Sequence, residues 1–210
     1  MSTNPELLVQ LKAAAGSPGP ALVLPVGSPP IALLRPVAGK AGRQSAKDVA
    51  LLTKWRNANR KAFLTDFIAT EERTSRWLEG SVATDDGRIL FMIDLPDGRT
   101  VGYMGLAFID WSRGYGEADS IVKGESTEPG LAAACLASLI DWARGSLGLA
   151  RLGVRVRSDN PALRFYEKLG FRETHRRALE ARVEGDMVSL REVGDAPADG
   201  LALVHMEHMS

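Results

Sequence analysis

The chain has 210 residues, enough for one domain with a sizeable core, and its 26 Lys and Arg balance 26 Asp and Glu to a formal net charge of zero. That balance argues against nucleic acid or an anionic membrane as a partner. The one cysteine, Cys135, excludes an internal disulfide and supplies no metal-ligand spacing; with no basic, apolar leader at the start, this favours a reducing cytoplasm.

Residues 1–30 read as an N-terminal extension, partly ordered, ahead of a single domain over 31–210. "PELLVQLKAAAG" has the composition of a short helix. "GSPGPALVLPVGSPP" is Pro/Gly punctuation without a period, and its prolines prevent the apolar run from crossing a bilayer as a helix. "IALLRPV" reads as a strand. In "SAKDVALLTKWRNANRKAFL", Ser45 can cap a helix whose apolar stripe is Val49, Leu52, Trp55 and Ala58. Thr70 opens a second helix carrying Trp77 and Leu78.

The centre is β: "RILFMIDL", a tight turn at "PDG", "TVGYMGLAFID" and "GEADSIVKG". A Pro-started helix follows in "ESTEPGLAAACLASLIDWARGSLG", with Ala132, Cys135, Leu136, Leu139, Ile140 and Ala143 on its buried stripe. Then come the strand "LARLGVRVR", a short helix, and the closing strands in "RRALEARVEGDMVSLREV" and "GLALVHMEHM". This order predicts an α/β (α+β) sheet with helices on both faces.

"SDNPALRFYEKLGF" is helix grammar: Asn160 or Asp159 as cap, Pro161 in the first turn, Ala162, Phe165, Tyr166 and Leu169 on one face, and Gly170 as the left-handed stop. A buried tyrosine in such a helix needs a partner for its hydroxyl. The stretch resembles the GNAT superfamily of N-acetyltransferases, and the likeness extends over residues 31–210. The resemblance implies a mostly antiparallel sheet in which two central parallel strands splay apart, with the thioester of acetyl-coenzyme A lying in the opening. It implies that Tyr166 protonates the departing thiolate and that Asn160 contacts the pantetheine arm. A thiol of pKa roughly 8–9 is a fair leaving group, and a positioned phenol can supply its proton.

The family's second signature is a small-residue loop that opens a helix and cradles the coenzyme diphosphate on free N–H groups. "TEPGLA" occupies that place: Gly130 and Ala132 match, Leu131 lies between them, and Thr127 replaces the usual Gln or Arg. With Ile121, Val122 and Lys123 at the end of the preceding strand, these are the coenzyme contacts that the resemblance implies. Glu125 and Glu128 are expected to weaken the site by repulsion, with Lys123 alone opposing them.

Amine acylation needs a proton acceptor. Strand alternation puts Glu117, Asp119 and Ile121 on one face of "GEADSIV", so Glu117 is the first candidate base, Asp119 the second and Asp110 the third. "WRN" and the residues after it resemble the opening of enzymes that acetylate nucleotide-linked amino sugars; ribosomal-protein N-terminal acetyltransferases open similarly. On that likeness Trp55, Arg56, Asn57, Arg60 and Trp77 bind the acceptor, with the two arginines gripping a diphosphate and a tryptophan stacking on a sugar or base. His175, His205 and His208 form no metal-like group. The leading reading is an acetyl-coenzyme A-dependent N-acetyltransferase working by direct attack on a small-molecule amine, without metal, nucleic acid or membrane. Three other readings stand beside it. One is a protein N-terminal acetyltransferase. Another is a degenerate member of the fold that binds without catalysis. The third is a homodimer built through the last strand.

Overall fold

The computed structural model describes residues 3–18, 22–196 and 200–209. Its strands, with β2 at Ala32–Pro36, form a ten-stranded sheet ordered β1-β2-β4-β5-β6-β7-β10-β8-β9-β3. The strands are β1 (Leu24–Val26), β2, β3 (Thr65–Asp66), β4 (Ile89–Asp94), β5 (Thr100–Asp110), β6 (Tyr115–Lys123), β7 (Arg151–Arg157), β8 (Phe171–Glu184), β9 (Met187–Asp195) and β10 (Ala202–His208). Neighbours are antiparallel except β6 and β7. A parallel pair cannot be joined by a tight turn. Its crossover is the helix α4 (Leu131–Gly145), whose stripe of Cys135, Leu136, Leu139, Ile140 and Ala143 is buried as the spacing predicts, whereas Ala132 is half-buried and Pro129 lies in the turn before the helix, not in it.

On the α4 face lies the larger core, which includes Phe91, Met104, Leu106, Val154, Tyr166 and Phe171. The short helix α5 (Leu163–Lys168) covers the same face. So does α1 (Pro5–Ala14): Leu8 is fully buried and Leu11 nearly so. Much of the segment expected to be a partly ordered extension therefore contributes core, and Leu24–Val26 pairs with β2; residues 1, 2 and 19–21 of it lie outside the described residues. The opposite face carries α2 (Ala46–Ala58) and α3 (Glu71–Trp77), the latter running into a π-helical turn, Leu78–Ala83. Their core includes Val49, Leu52, Trp55, Leu78, Tyr103 and Val122.

Local chemistry sets the helix starts. Ser45 Oγ accepts from Asp48 N–H, and Thr70 Oγ1 accepts from Arg73 N–H. α2 is also pinned to the sheet by charge. Arg35 on β2 donates through both Nη atoms to Asp48, at 2.8 and 3.1 Å, and through Nε to Asp94 at 2.6 Å. Asp48 is only 2% exposed, so this fork offsets the cost of burying its charge. The pin matters because α2 reaches toward both clefts described below.

β10 lies between β7 and β8, with both of its edges hydrogen-bonded inside the chain. A dimer made by pairing a second copy onto the last strand has no unpaired edge there to use. Among the described residues no helix is long and apolar enough to cross a membrane.

Candidate active site

The parallel ladder between β6 and β7 is short. Tyr115, Gly116 and Glu117 pair with Arg151, Leu152 and Gly153, and then the strands part. Beyond Glu117, β6 continues to Lys123 paired only with β5, and β7 continues to Arg157 paired only with β10. The splay that the resemblance implies is therefore present, and its apex is at Glu117 and Gly153.

A bulge shapes the β6 wall. Its register with β5 passes from Asp119 opposite Gly105 to Val122 opposite Tyr103, so Ser120 and Ile121 drop out of the ladder; Ser120 sits at φ 54°. Glu117 and Asp119 keep the same face, as alternation predicts. The extra residue then reverses the pattern. Val122, not Ile121, joins Tyr103 and Trp55, and Ile121 packs against the larger core.

Glu117, the first candidate base, is 8% exposed and engaged at both oxygens: Oε1 accepts from the Tyr115 hydroxyl at 3.0 Å and Oε2 from Arg155 Nε at 2.6 Å. This ion pair ties β6 to β7 at the apex. Asp119 lies past the apex. Its Oδ2 accepts from Arg88 Nη1 and Ser120 Oγ, both at 2.9 Å, while Oδ1 has no partner among the described residues. Asp110 stands at the far end of β5, tied to Ser112 and Arg113.

Tyr166 on α5 packs edge-on against Phe165 and Phe171, with ring centroids 5.3 and 5.7 Å away. Its hydroxyl has no hydrogen bond among the described residues. Burial first, and the charge of Asp119 second, raise its pKa above the ordinary phenol value. The group therefore keeps its proton. Neither Tyr166 nor Asp119 is among the lining residues of the two clefts described next. Neither Asn160 nor Asp159 caps α5, which starts at Leu163 with no side-chain cap, past the expected first turn at Pro161; Asn160 Oδ1 instead closes the turn before it, accepting from Ala162 N–H at 2.9 Å, while Asp159 turns to Arg157.

One cleft lies on the β6 side, lined by Ile93, Val101, Met104, Ile121, Val122, Lys123, Thr127, Leu131 and Ala132. It thus gathers six of the expected coenzyme contacts. Gly130, at φ 91°, makes the left-handed entry to α4 that an L side chain resists, and no side chain caps the helix. Among the described residues the N–H groups of Ala132 and Ala133 have no acceptor. A 15-residue helix that presents free N–H groups beside small residues fits a coenzyme diphosphate. Glu125 does not repel as expected from the sequence: its Oε1 accepts from Lys54 Nζ at 2.7 Å and from Trp55 Nε1 at 3.1 Å. These two donors, with the Lys54 charge, hold its pKa below the ordinary carboxylate value.

A larger cleft, about 960 Å³, lies on the β7 side between the segment Asn57–Asp66, the start of α5 and the β9 hairpin. Asn57, Arg60, Lys61, Arg157 and Asn160 line it. Asn57 also clamps the loop below, exchanging hydrogen bonds with Ala69 in both directions. Arg60 Nε is bonded to Asp66 at 2.6 Å. Three other expected acceptor residues line neither cleft. Trp55 is 1% exposed, stacked near Tyr103 and bonded to Glu125, so no ring face remains for a ligand. Arg56 is sandwiched by Phe63 and Phe67, at 4.1 and 4.6 Å, and donates to Thr65. Burial there lowers its pKa. Trp77 packs against the smaller core. Sequence reading missed Arg157, which alternation on "GVRVR" places opposite the core residues Val154 and Val156.

A family model described as the Acetyltransferase (GNAT) domain matches residues 43–172, the span that contains α2, the splay, both loops and Tyr166. The chain belongs to the GNAT acetyltransferase family. Enzymes of this family take acetyl-coenzyme A as acyl donor. Among solved structures, a spermidine N-acetyltransferase from Vibrio cholerae in complex with CoA and spermine is similar at 18% identity and a TM-score of 0.64, over 84% of this chain and 94% of that one. A probable GNAT-family acetyltransferase from Chromobacterium violaceum is similar at 15% identity and a TM-score of 0.68, over 92% of this chain and 88% of that one. At such identities the likeness is one of fold. No curated protein sequence matches the chain. Among the described residues no group of three or more His, Cys, Asp and Glu is placed to hold a metal ion.

Proposed function

We propose that this acetyltransferase acylates a small polar amine that enters the larger cleft and reaches the opening between β6 and β7. The observation that carries the reading is the pairing of a proton-bearing Tyr166 with the half-free carboxylate of Asp119, both past the apex of the splay. Acetyl-coenzyme A supplies an activated carbonyl with a thiol as leaving group; the products are an amide and the free thiol. Ile121, Val122, Lys123, Thr127, Gly130, Leu131 and Ala132, with Asn160 across the opening, hold the coenzyme. Asp119 takes the proton that an ammonium must lose before attack, directly or through water. Tyr166 Oη gives a proton on the leaving-group side. The Glu117–Arg155 pair holds the two strands at the apex, a positioning role in place of the general base expected from the sequence.

The acceptor class follows from charge. Arg60, Lys61 and Arg157 line the larger cleft against Asp66 and Asp159. This excess of cations disfavours a polyamine and suits an amine whose body is anionic or neutral and polar. A cleft of about 960 Å³ lies at the upper end of ordinary ligand pockets. A nucleotide-linked amino sugar is therefore the first choice, held by Arg60 and Asn57 without help from Arg56, Trp55 or Trp77. The test is a thiol-release assay with acetyl-coenzyme A over three acceptor sets: amino-sugar nucleotides, polyamines and peptides with free N-termini. Turnover confined to the first set is the expected result. Turnover confined to spermidine and its relatives, or to peptides, contradicts the acceptor assignment.

A further inference from the structure

The stretch Glu125–Ala132 contains Glu125 and Glu128 but no lysine or arginine, although the helix start it leads into is built for an anion. A cation reaches this loop from elsewhere in the chain. Lys54 on α2 lies with Nζ 2.7 Å from Glu125 Oε1, across 71 positions of sequence. We propose that Lys54 is a coenzyme-binding residue that contacts a phosphate group of acetyl-coenzyme A, with Glu125 as its tether. The inference rests on the reading that the loop before α4 receives the coenzyme.

Three features support it. First, the carboxylate is fixed independently of the lysine. Trp55 Nε1 donates to the same Oε1, and the indole lies so close to Gly124 that a Cβ there would overlap its ring. Second, the lysine is not used up. Its side chain is 63% exposed, and an ammonium has three donors, of which one is bonded here. Third, an exposed single-contact ion pair holds weakly, so a phosphate dianion beside the free N–H groups of α4 can draw the ammonium to itself. Thr127, at the position where the family carries Gln or Arg, has no charge to compete for that role.

Calorimetric titration with coenzyme A and with dephospho-coenzyme A tests the proposal on the full chain. The variants are Lys54→Gln, Lys54→Arg, Lys54→Gln with Glu125→Gln, and Ala132→Asp; thermal melts confirm that each is folded. Lys54→Gln is expected to bind coenzyme A about tenfold more weakly, the size of one lost charged hydrogen bond. Lys54→Arg should stay near wild type, and the double variant should stay weak. An effect that persists with dephospho-coenzyme A assigns the diphosphate; one that vanishes assigns the ribose phosphate. Both uphold the proposal. Wild-type affinity in Lys54→Gln overturns it, and so does recovery in the double variant, because Lys54 would then merely cancel Glu125. Ala132→Asp separates the underlying reading: if it binds as wild type does, the coenzyme does not use this loop, and both fall.

Discussion

The two walls of the opening differ in what builds them. The β6 wall is apolar and mostly local: a bulged strand, a tight loop and the start of α4 follow one another in the chain and line the smaller cleft with Ile93, Val101 and Met104 of β4 and β5. The β7 wall is polar and assembled from distance: Arg157 from β7, the segment from Asn57 at the end of α2 to Asp66, and Val188 and Leu190 from β9. The acceptor differs among enzymes of one fold, and loops brought together by topology can vary without disturbing the sheet.

Tyr166→Phe tests the donor side most severely. A lost general acid costs about 100-fold or more in turnover, and coenzyme affinity should hold because the ring and its packing are kept. Unchanged turnover would remove Tyr166 from the chemistry. Asp119→Asn tests the candidate base on β6. Turnover should fall roughly 10- to 100-fold, with the pH dependence of kcat/KM losing its acid limb. If that limb stays and Glu117→Gln removes it instead, the base is Glu117 after all.

Asp48→Ala breaks the pin that seats α2. Removing one partner of a buried pair costs about 3 kcal/mol, the low end of the range because Arg35 is partly exposed. Chemical denaturation should show this loss, and a loss under 1 kcal/mol would mean that Asp94 alone holds Arg35. The smallest effect concerns the β7 side. Burial, chiefly, lowers the pKa of His205 below its ordinary 6.5, against the opposing pull of Glu192. Arg155 and the stacked His175 also face it. The unfolded chain then takes up the proton first as pH falls, so the contribution to stability is present above about 6.5 and is lost as the pH falls below it. His205→Gln should flatten that slope in thermal melts; an unchanged slope would assign it to other groups.

What was legible in the sequence follows the same division. The caps at Ser45 and Thr70 and the left-handed stop at Gly170 depend on neighbours a few residues away, and so these helix ends could be read directly. Trp55, Arg56 and Trp77 misled because their residue types suit a ligand site as well as a core. Only the pairing of α2 with the Gly124 backbone and of Arg56 with Phe63 and Phe67 decides between the two. The bulge at Ser120 could not be read, since strict alternation is the sole signal a strand sequence carries. The Lys54–Glu125 and Arg35–Asp48–Asp94 contacts join elements far apart in the chain and leave no local trace.

The most direct test of the account is the structure of the complex with coenzyme A. The expected result is the diphosphate on the N–H groups at the start of α4, the pantetheine arm between β6 and β7, and the sulfur within hydrogen-bonding reach of Tyr166 Oη. A coenzyme seated outside the splay, or a sulfur remote from Tyr166, would contradict it.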